Sequence, residues 1–273
     1  QFYLADMTVA ANQRLALETD IRHSLENDDF IVHYQPQVSL ENNCIVGVEA
    51  LVRWQHPQHG MLPPNMFIPV AEESGLIEAL GDWVMRAACK QAREWQETTG
   101  VLIPVAVNLS GHQISDTLAQ TVENILEETG LEPRYLELEI TESCIMSHTD
   151  KTIDCLHRLR RLGVQLAIAD FGTGYSSMSQ LKRLPIDKLK IDRSFVRDVP
   201  QDSNDMEIIK AIIALGHALG MTVIAEGVET VEQRTFLAKH DCDVMQGYLF
   251  SRPKPAGEIE PLLLSDSCLT VAR

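Results

Sequence analysis

The sequence predicts a (β/α)8 TIM-like barrel, a closed ring of strands wrapped by helices, with an antiparallel first strand. Three observations lead to it. Segments of helical and strand period alternate along nearly all of the 273 residues, the pattern of a parallel sheet with its crossover helices. The strands number about eight, in a chain of the size at which such a sheet closes on itself. Polar residues recur where the strands end, the face on which barrels build their sites. An open doubly wound sheet is the alternative, but no G-x-G-x-x-G follows any strand, so its most familiar function has no support.

The elements follow in order. Leu15, Leu17, Ile21 and Leu25 give residues 12–26 a helical spacing that Asn27, Asp28 and Asp29 break. Residues 30–38 and 45–54 read as strands joined by a turn at Glu41, Asn42 and Asn43. So short a connection makes the pair antiparallel, because a parallel crossover needs a dozen residues or more. Helices at 76–96, 114–129 and 151–162 then lead to strands at 103–109, 135–140 and 164–169. A short helix after Ser176 precedes the strand at 188–191, and helices at 206–219 and 231–239 precede strands at 222–225 and 243–245. Gly100, Gly130, Gly163 and Gly220 stand where C-terminal helix caps belong. No Pro/Ser-rich linker interrupts the series, so the barrel is expected over residues 12–265, with 266–273 as a C-terminal tail. The chain opens on Gln1 and runs straight into a helical pattern, so residues 1–11 read as the tail of a preceding domain or a linker.

Composition narrows the function. With 23 Lys and Arg against 39 Asp and Glu, the formal charge is −16, which repels nucleic-acid polymers and anionic membranes. A small anion can bind only where metals or placed cations reverse the local potential. The six cysteines include no C-x-x-C pair and sit mostly in apolar runs, so reduced thiols in a cytoplasmic compartment are expected. No apolar stretch approaches the roughly 18 residues of a membrane span, and no signal segment opens the chain.

Glu49, Asn108, Glu139, Asp170, Lys190, Glu226 and Gln246 all fall at or near predicted strand ends. Any one of them is more readily an ordinary polar loop residue; the succession is harder to explain that way. Carboxylates and an amide oxygen on one face form a hard-oxygen set suited to Mg²⁺ or Mn²⁺. A crowd of carboxylates is repulsive when bare and is relieved by divalent cations. The nine histidines contain no H-E-x-x-H; His56 and His59 lie in a Pro/Gly loop, and His23, His157, His217 and His240 fit helix surfaces, so structural or solvated roles are expected.

Ordered strings across the chain carry a resemblance. EALVRW at 49–54, YQPQV at 34–38, FIPVAEESGLI at 67–77, VNLS at 107–110 and LEITES at 138–143 are followed by DFGTGYSS at 170–177, KIDRSFV at 190–196, AEGVET at 225–230 and QGYLFSRP at 246–253. This set resembles the EAL-domain cyclic di-GMP phosphodiesterase family. The resemblance implies a metal-dependent enzyme in which two cations, Mg²⁺ or Mn²⁺, activate water to open cyclic di-GMP to linear 5′-pGpG. Glu49, Asn108, Glu139, Asp170 and Glu226 match metal ligands, and Lys190, with Glu49 and Glu226, matches the catalytic positions. Gln35, Leu51, Arg53, Asp192, Gln246 and Pro253 match substrate-side residues. Glu142 and Glu229 match residues that hold a mobile loop from Asp170 to Ser177, which includes Gly172, Thr173 and Gly174. A homodimer, an upstream diguanylate-cyclase-like or sensory domain and a bacterial cytoplasmic location are also implied, with no membrane contact by this domain.

One position departs from the family's pattern. Two consecutive aspartates usually precede F-G-T-G and the first bridges both metals, whereas this chain reads Ile168-Ala169-Asp170-Phe171. An alanine coordinates nothing, so the second metal site and turnover should suffer more than substrate binding. Two further readings are weighed against the enzyme: a catalytically degenerate cyclic di-GMP receptor, which Ala169 favours, and a Mg²⁺-dependent barrel enzyme with an unrelated phosphate or enolate substrate.

Overall fold

The computed structural model describes residues 2–146, 150–174 and 178–264. The strands are β1 (Phe30–Ser39), β2 (Ile45–His56), β3 (Gly60–Leu62), β4 (Val105–Leu109), β5 (Leu136–Thr141), β6 (Gln165–Phe171), β7 (Lys188–Ile191), β8 (Thr222–Ala225), β9 (Val244–Met245) and β10 (Lys254–Pro255). From β2 through β4 to β9 the pairings are parallel, and β1 closes the ring by pairing antiparallel with both β2 and β9. The expected closed barrel with an inverted first strand is therefore the fold. The strands β3 and β10 extend β2 and β1 beyond the ring as short antiparallel additions.

The helices pack outside, each on one apolar face. In Ile77–Thr99 the buried positions Ile77, Leu80, Val84, Ala88 and Trp95 recur at helical spacing. Trp95 meets Tyr34 edge-on at 4.9 Å, Phe30 stacks on Trp54 at 5.3 Å, and Trp54 donates its Nε1–H to Ser24 Oγ at 2.9 Å. The first helix is thus stapled to the barrel by a satisfied indole. Truncating a fully buried aromatic such as Trp54 or Phe67 to alanine costs about 3–5 kcal/mol. Gly100, Gly130, Gly163 and Gly220 all have positive φ, as their cap positions require.

Several elements differ from expectation. The first helix spans Phe2–Glu26 and so runs unbroken across residue 12. The helix expected from residue 114 begins at Leu118, because Ser110 and Gln113 form a capping box on a separate turn, Gly111–Gln113. Helices Pro64–Ser74, Arg193–Arg197 and Ala256–Leu264 were not expected; two carry internal prolines and the third is a single turn and a half. Residues 266–273 lie outside the described residues. No helix among the described residues is long and apolar enough to cross a membrane.

The cysteine expectation needs a correction. Cys89, Cys144, Cys155 and Cys242 are free, but Cys44 is disulfide-bonded. Spacing could not reveal this, since pairing depends on which loops meet in space. Cys89 and Cys242 behave as small hydrophobes, with burial pushing each thiol up to about 12.

Candidate active site at the C-terminal face of the barrel

The strand register assembles the site. Asn108 on β4 is level with Glu139 on β5, and Gln35 on β1 is level with Glu49 on β2. Lys190 on β7 reaches into the same layer. Glu49 lies mid-strand rather than at a strand end, because β2 pairs with β4 only over residues 48–50 and then continues past the rim beside β1. Asn108, Asp170 and Lys190 are next to last in their strands, Glu139 lies two residues before the end of β5, and Glu226 and Gln246 directly follow β8 and β9.

At the centre stands Lys190, fully buried. Its Nζ lies 2.5 Å from Glu139 Oε2, 2.7 Å from Glu226 Oε1 and 3.2 Å from Glu49 Oε2. Burial alone would lower the lysine pKa, but Glu139, Glu226 and Glu49 together hold it well above the ordinary value, so the ammonium stays charged. Burial also pushes the Glu139 carboxyl well above the usual carboxylate range, with Glu49 adding to the rise, and raises Glu226. For Glu49 the upward push of burial is outweighed by Lys190 and by hydrogen bonds from Gln246 and Asn108. Those amides donate at 2.5 Å to Oε2 and 2.6 Å to Oε1 respectively.

One ammonium cannot balance this group, which leaves excess negative charge in a low-dielectric layer. Glu139 Oε1 is buried with no hydrogen-bond partner among the described residues. Oxygen atoms of Glu49, Glu139 and Glu226 lie within 4.8 Å of one another, as do those of Asp170, Asp192 and Glu226. An orphaned carboxylate oxygen inside a hard-oxygen cluster fits a divalent cation such as Mg²⁺ or Mn²⁺.

Asp170 sits at a break in the β6–β7 register with φ +54°, a left-handed conformation that aspartate tolerates better than most residues. The loop that follows is held by Glu142, whose Oε2 accepts the N–H groups of Gly172 at 2.8 Å and Gly174 at 3.1 Å. Gly172 has φ +101°, whereas Gly174 is required for close approach, since a Cβ there would lie 3.0 Å from the Glu142 carboxyl. Thr173 is exposed and donates its hydroxyl to Asp170 O at 2.8 Å. Glu229 is exposed, and its backbone N–H donates to Gln233 Oε1 at 2.7 Å; the far part of the loop it is expected to hold lies outside the described residues. Tyr175, Ser176 and Ser177 of the DFGTGYSS string lie outside the described residues.

The strand alternation turns Ala169 to the inward face. Ala167 is level with Glu139, and Ala169, two residues on, is level with Thr141 and buried. A methyl group therefore stands at the inward position where the resemblance implies a carboxylate.

The substrate-side expectations divide. Gln35 and Gln246 belong to the site: Gln246 Nε2 also donates to Gln35 Oε1 at 3.1 Å, and Gln35 Nε2 to Ser251 O at 3.0 Å. Leu51 lines a mostly apolar cavity of about 250 Å³ with Asn108, Ser110 and Thr141. Arg53 is half-buried and bonds the carbonyl of Val52 at 2.8 Å, with no carboxylate partner among the described residues. Asp192 instead joins the carboxylates, while its Oδ1 accepts from Ser194 N–H at 2.9 Å. Pro253 is partly buried beyond the Ser251 anchor. Gln37 was missed; it is buried and its Nε2 donates to Gln246 Oε1 at 3.2 Å. Its alternation with Gln35 on β1 was the available signal.

His56 and His217 take structural parts. His56 Nδ1 accepts the N–H groups of Gln58 and His59, and His217 pairs with Asp243. A larger cavity of about 660 Å³ opens at the opposite end of the barrel among Ser39, Val46, Lys188 and Thr222. It lies away from the carboxylates, on the face that serves stability in such barrels.

The model of the EAL domain matches residues 18–253. The chain is 46% identical over 264 residues to the cyclic di-GMP phosphodiesterase NbdA of Pseudomonas aeruginosa, covering 96% of this chain and 34% of that protein. It is 44% identical over 259 residues to the bifunctional diguanylate cyclase/cyclic di-GMP phosphodiesterase MucR of the same organism, covering 94% and 38%. The chain thus spans about a third of the length of these curated relatives. Among solved structures, a PaMucR phosphodiesterase in complex with c-di-GMP superposes with TM-score 0.86 at 45% identity, over 89% of this chain and 99% of that one.

Proposed function

The chain belongs to the EAL domain family, and we propose that it is a metal-dependent cyclic di-GMP phosphodiesterase producing linear 5′-pGpG. The observation that carries this reading is the partnerless Glu139 Oε1 inside a buried oxygen cluster that Lys190 balances only in part. Glu49, Asn108, Glu139 and Glu226 would hold an inner cation, and Asp170, Asp192 and Glu226 an outer one. Bound Mg²⁺ or Mn²⁺ supplies Lewis acidity toward the phosphate and lowers the pKa of water.

The protein's own groups do the rest. Lys190, kept protonated, can donate to the attacking oxygen and hold it in line. Arg53, free of any carboxylate among the described residues, is available to a phosphate oxygen. Gln246 fixes Glu49 from the second side and ties it to Gln35. Water's oxygen joins phosphorus as the P–O3′ bond breaks; one of the water's protons ends on the departing 3′ oxygen and the other is released from the new 5′-phosphate to solvent.

Ala169 favours a second reading, a receptor that binds the dinucleotide without opening it, because its inward methyl offers no ligand atom. Turnover of cyclic di-GMP with Mg²⁺ or Mn²⁺, read by chromatography of pGpG for this chain beside Ala169→Asp, separates the two. Cleavage by the chain itself supports the enzyme, cleavage by Ala169→Asp alone supports an impaired enzyme, and cleavage by neither supports the receptor. The proposal also includes a homodimer and a cyclase-like or sensory domain upstream, a cyclase domain being named in the relative MucR. Light scattering that finds only monomer at every concentration removes the dimer.

A further inference from the structure

Residues 246–252 follow β9 as a loop fixed from both sides. At its start Gln246 is bound to Glu49 and Gln35, and at its end Ser251 O accepts from Gln35 Nε2. Between them, Val228 N–H donates to Gln246 O at 3.1 Å and Leu249 N–H to Val228 O at 3.0 Å. Gly247 approaches so closely that a Cβ there would lie 2.0 Å from Val228 O. This rigid loop presents two groups to solvent. Tyr248 is 47% exposed, and the guanidinium carbon of Arg252 lies 4.2 Å from the centroid of its ring.

In a chain of net charge −16, Arg252 pairs with no carboxylate among the described residues. Arg53 is likewise without one, and Tyr248 lies near enough to it to influence its ionisation. Two guanidinium groups without a carboxylate partner among the described residues and an exposed aromatic ring therefore stand on elements at the same rim of the barrel, Arg53 on β2 and Tyr248 with Arg252 in the loop after β9. Stacking on Tyr248 restricts the plane of the Arg252 guanidinium, so less entropy is lost when its parallel N–H groups meet a ligand.

Resting on the cyclic di-GMP reading, we propose that Arg252 is the specificity-determining residue for the base: its two parallel N–H groups, set in plane by Tyr248, meet O6 and N7 of a guanine. Adenine places an amino donor where guanine has O6, which sets N–H against N–H and leaves the guanidinium unsatisfied. Arg53, nearer the carboxylates, remains for a phosphate.

The test is calorimetric titration of cyclic di-GMP and cyclic di-AMP, each verified intact by chromatography, into the parent chain and into Arg252→Ala, Arg252→Lys, Tyr248→Leu and Tyr248→Phe. Both side chains are exposed, so folding should be unaffected. The expected result is that Arg252→Ala weakens cyclic di-GMP binding roughly ten- to a hundredfold and changes cyclic di-AMP binding by less than about twofold. Tyr248→Leu should show a smaller loss with the same preference, and Tyr248→Phe, which keeps the ring, none. Equal weakening of both dinucleotides by Arg252→Ala assigns the arginine to phosphate and overturns the inference. So does unchanged discrimination in that variant. A parent chain that binds neither dinucleotide overturns the phosphodiesterase reading along with this one.

Discussion

The Lys190 ammonium lies 2.5 Å from Glu139 Oε2, while the other oxygen of that carboxylate, also buried, has no partner among the described residues. One lysine thus serves as a partial counterion in a site that still has room for more positive charge. Lys190→Met removes the ammonium that Glu49, Glu139 and Glu226 share. Breaking a buried pair in this way costs about 3–5 kcal/mol. The metal-free variant should lose stability of that order in chemical denaturation, and Mn²⁺ should restore more stability to it than to the parent. An unchanged metal-free stability would mean that the carboxylates simply take up protons.

The same carboxylates set a pH dependence. Burial raises the Glu139 and Glu226 pKa values above the ordinary carboxylate range, so both bind protons more tightly in the folded than in the unfolded chain. Their contribution to metal-free stability is therefore full below the unfolded carboxylate pKa and is lost as pH rises through that value toward the folded one. A cation competes with those protons for the same oxygens. The rise in Tm produced by Mn²⁺ should accordingly be small near about pH 5 and larger near about pH 8. Melting curves at matched Mn²⁺ across that range check it, and a constant increment would count against metal at these oxygens.

Ala169→Asp returns a carboxylate to the inward face, two residues beyond the position level with Glu139. Without metal the added charge should lower Tm, since the cluster already carries excess negative charge. With Mn²⁺ the order should reverse, and pGpG formation should rise by roughly ten- to a hundredfold, the scale of supporting a metal ligand set. Electron paramagnetic resonance of bound Mn²⁺ should count more metal per chain in the variant. Equal counts and equal turnover would show that Asp170, Asp192 and Glu226 suffice without it.

Most of the barrel was legible because strands and helices differ in period, and because Gly100, Gly130, Gly163 and Gly220 mark helix ends by a backbone conformation that few other residues adopt. The carboxylates were legible because barrel strands deliver their ends to one face. What escaped depended on distances that no period encodes. Asp192 belongs with Asp170 and Glu226 because β7 lies between β6 and β8. Cys44 has a disulfide partner although its sequence neighbours suggest none. Gly174 matters through its approach to Glu142 rather than through its own torsion angles.

That approach yields the last prediction. Glu142 is 1% exposed and its Oε2 takes both the Gly172 and the Gly174 N–H groups, which fixes the chain just beyond Asp170 and its unusual φ of +54°. Glu142→Ala leaves two backbone donors unsatisfied, at a cost of about 1.5–3 kcal/mol for hydrogen bonds to a charged group. If the loop orients Asp170, kcat should fall roughly ten- to a hundredfold and Mn²⁺ should bind more weakly. Glu142→Gln, which keeps one acceptor oxygen, should recover most of both. Gly174→Ala should reproduce the loss without altering any charge, because its Cβ would press on the Glu142 carboxyl at 3.0 Å. Should all three variants lose only thermal stability, with kcat and Mn²⁺ affinity intact, the loop would be a structural closure and Asp170 would be oriented by the β6–β7 register break alone.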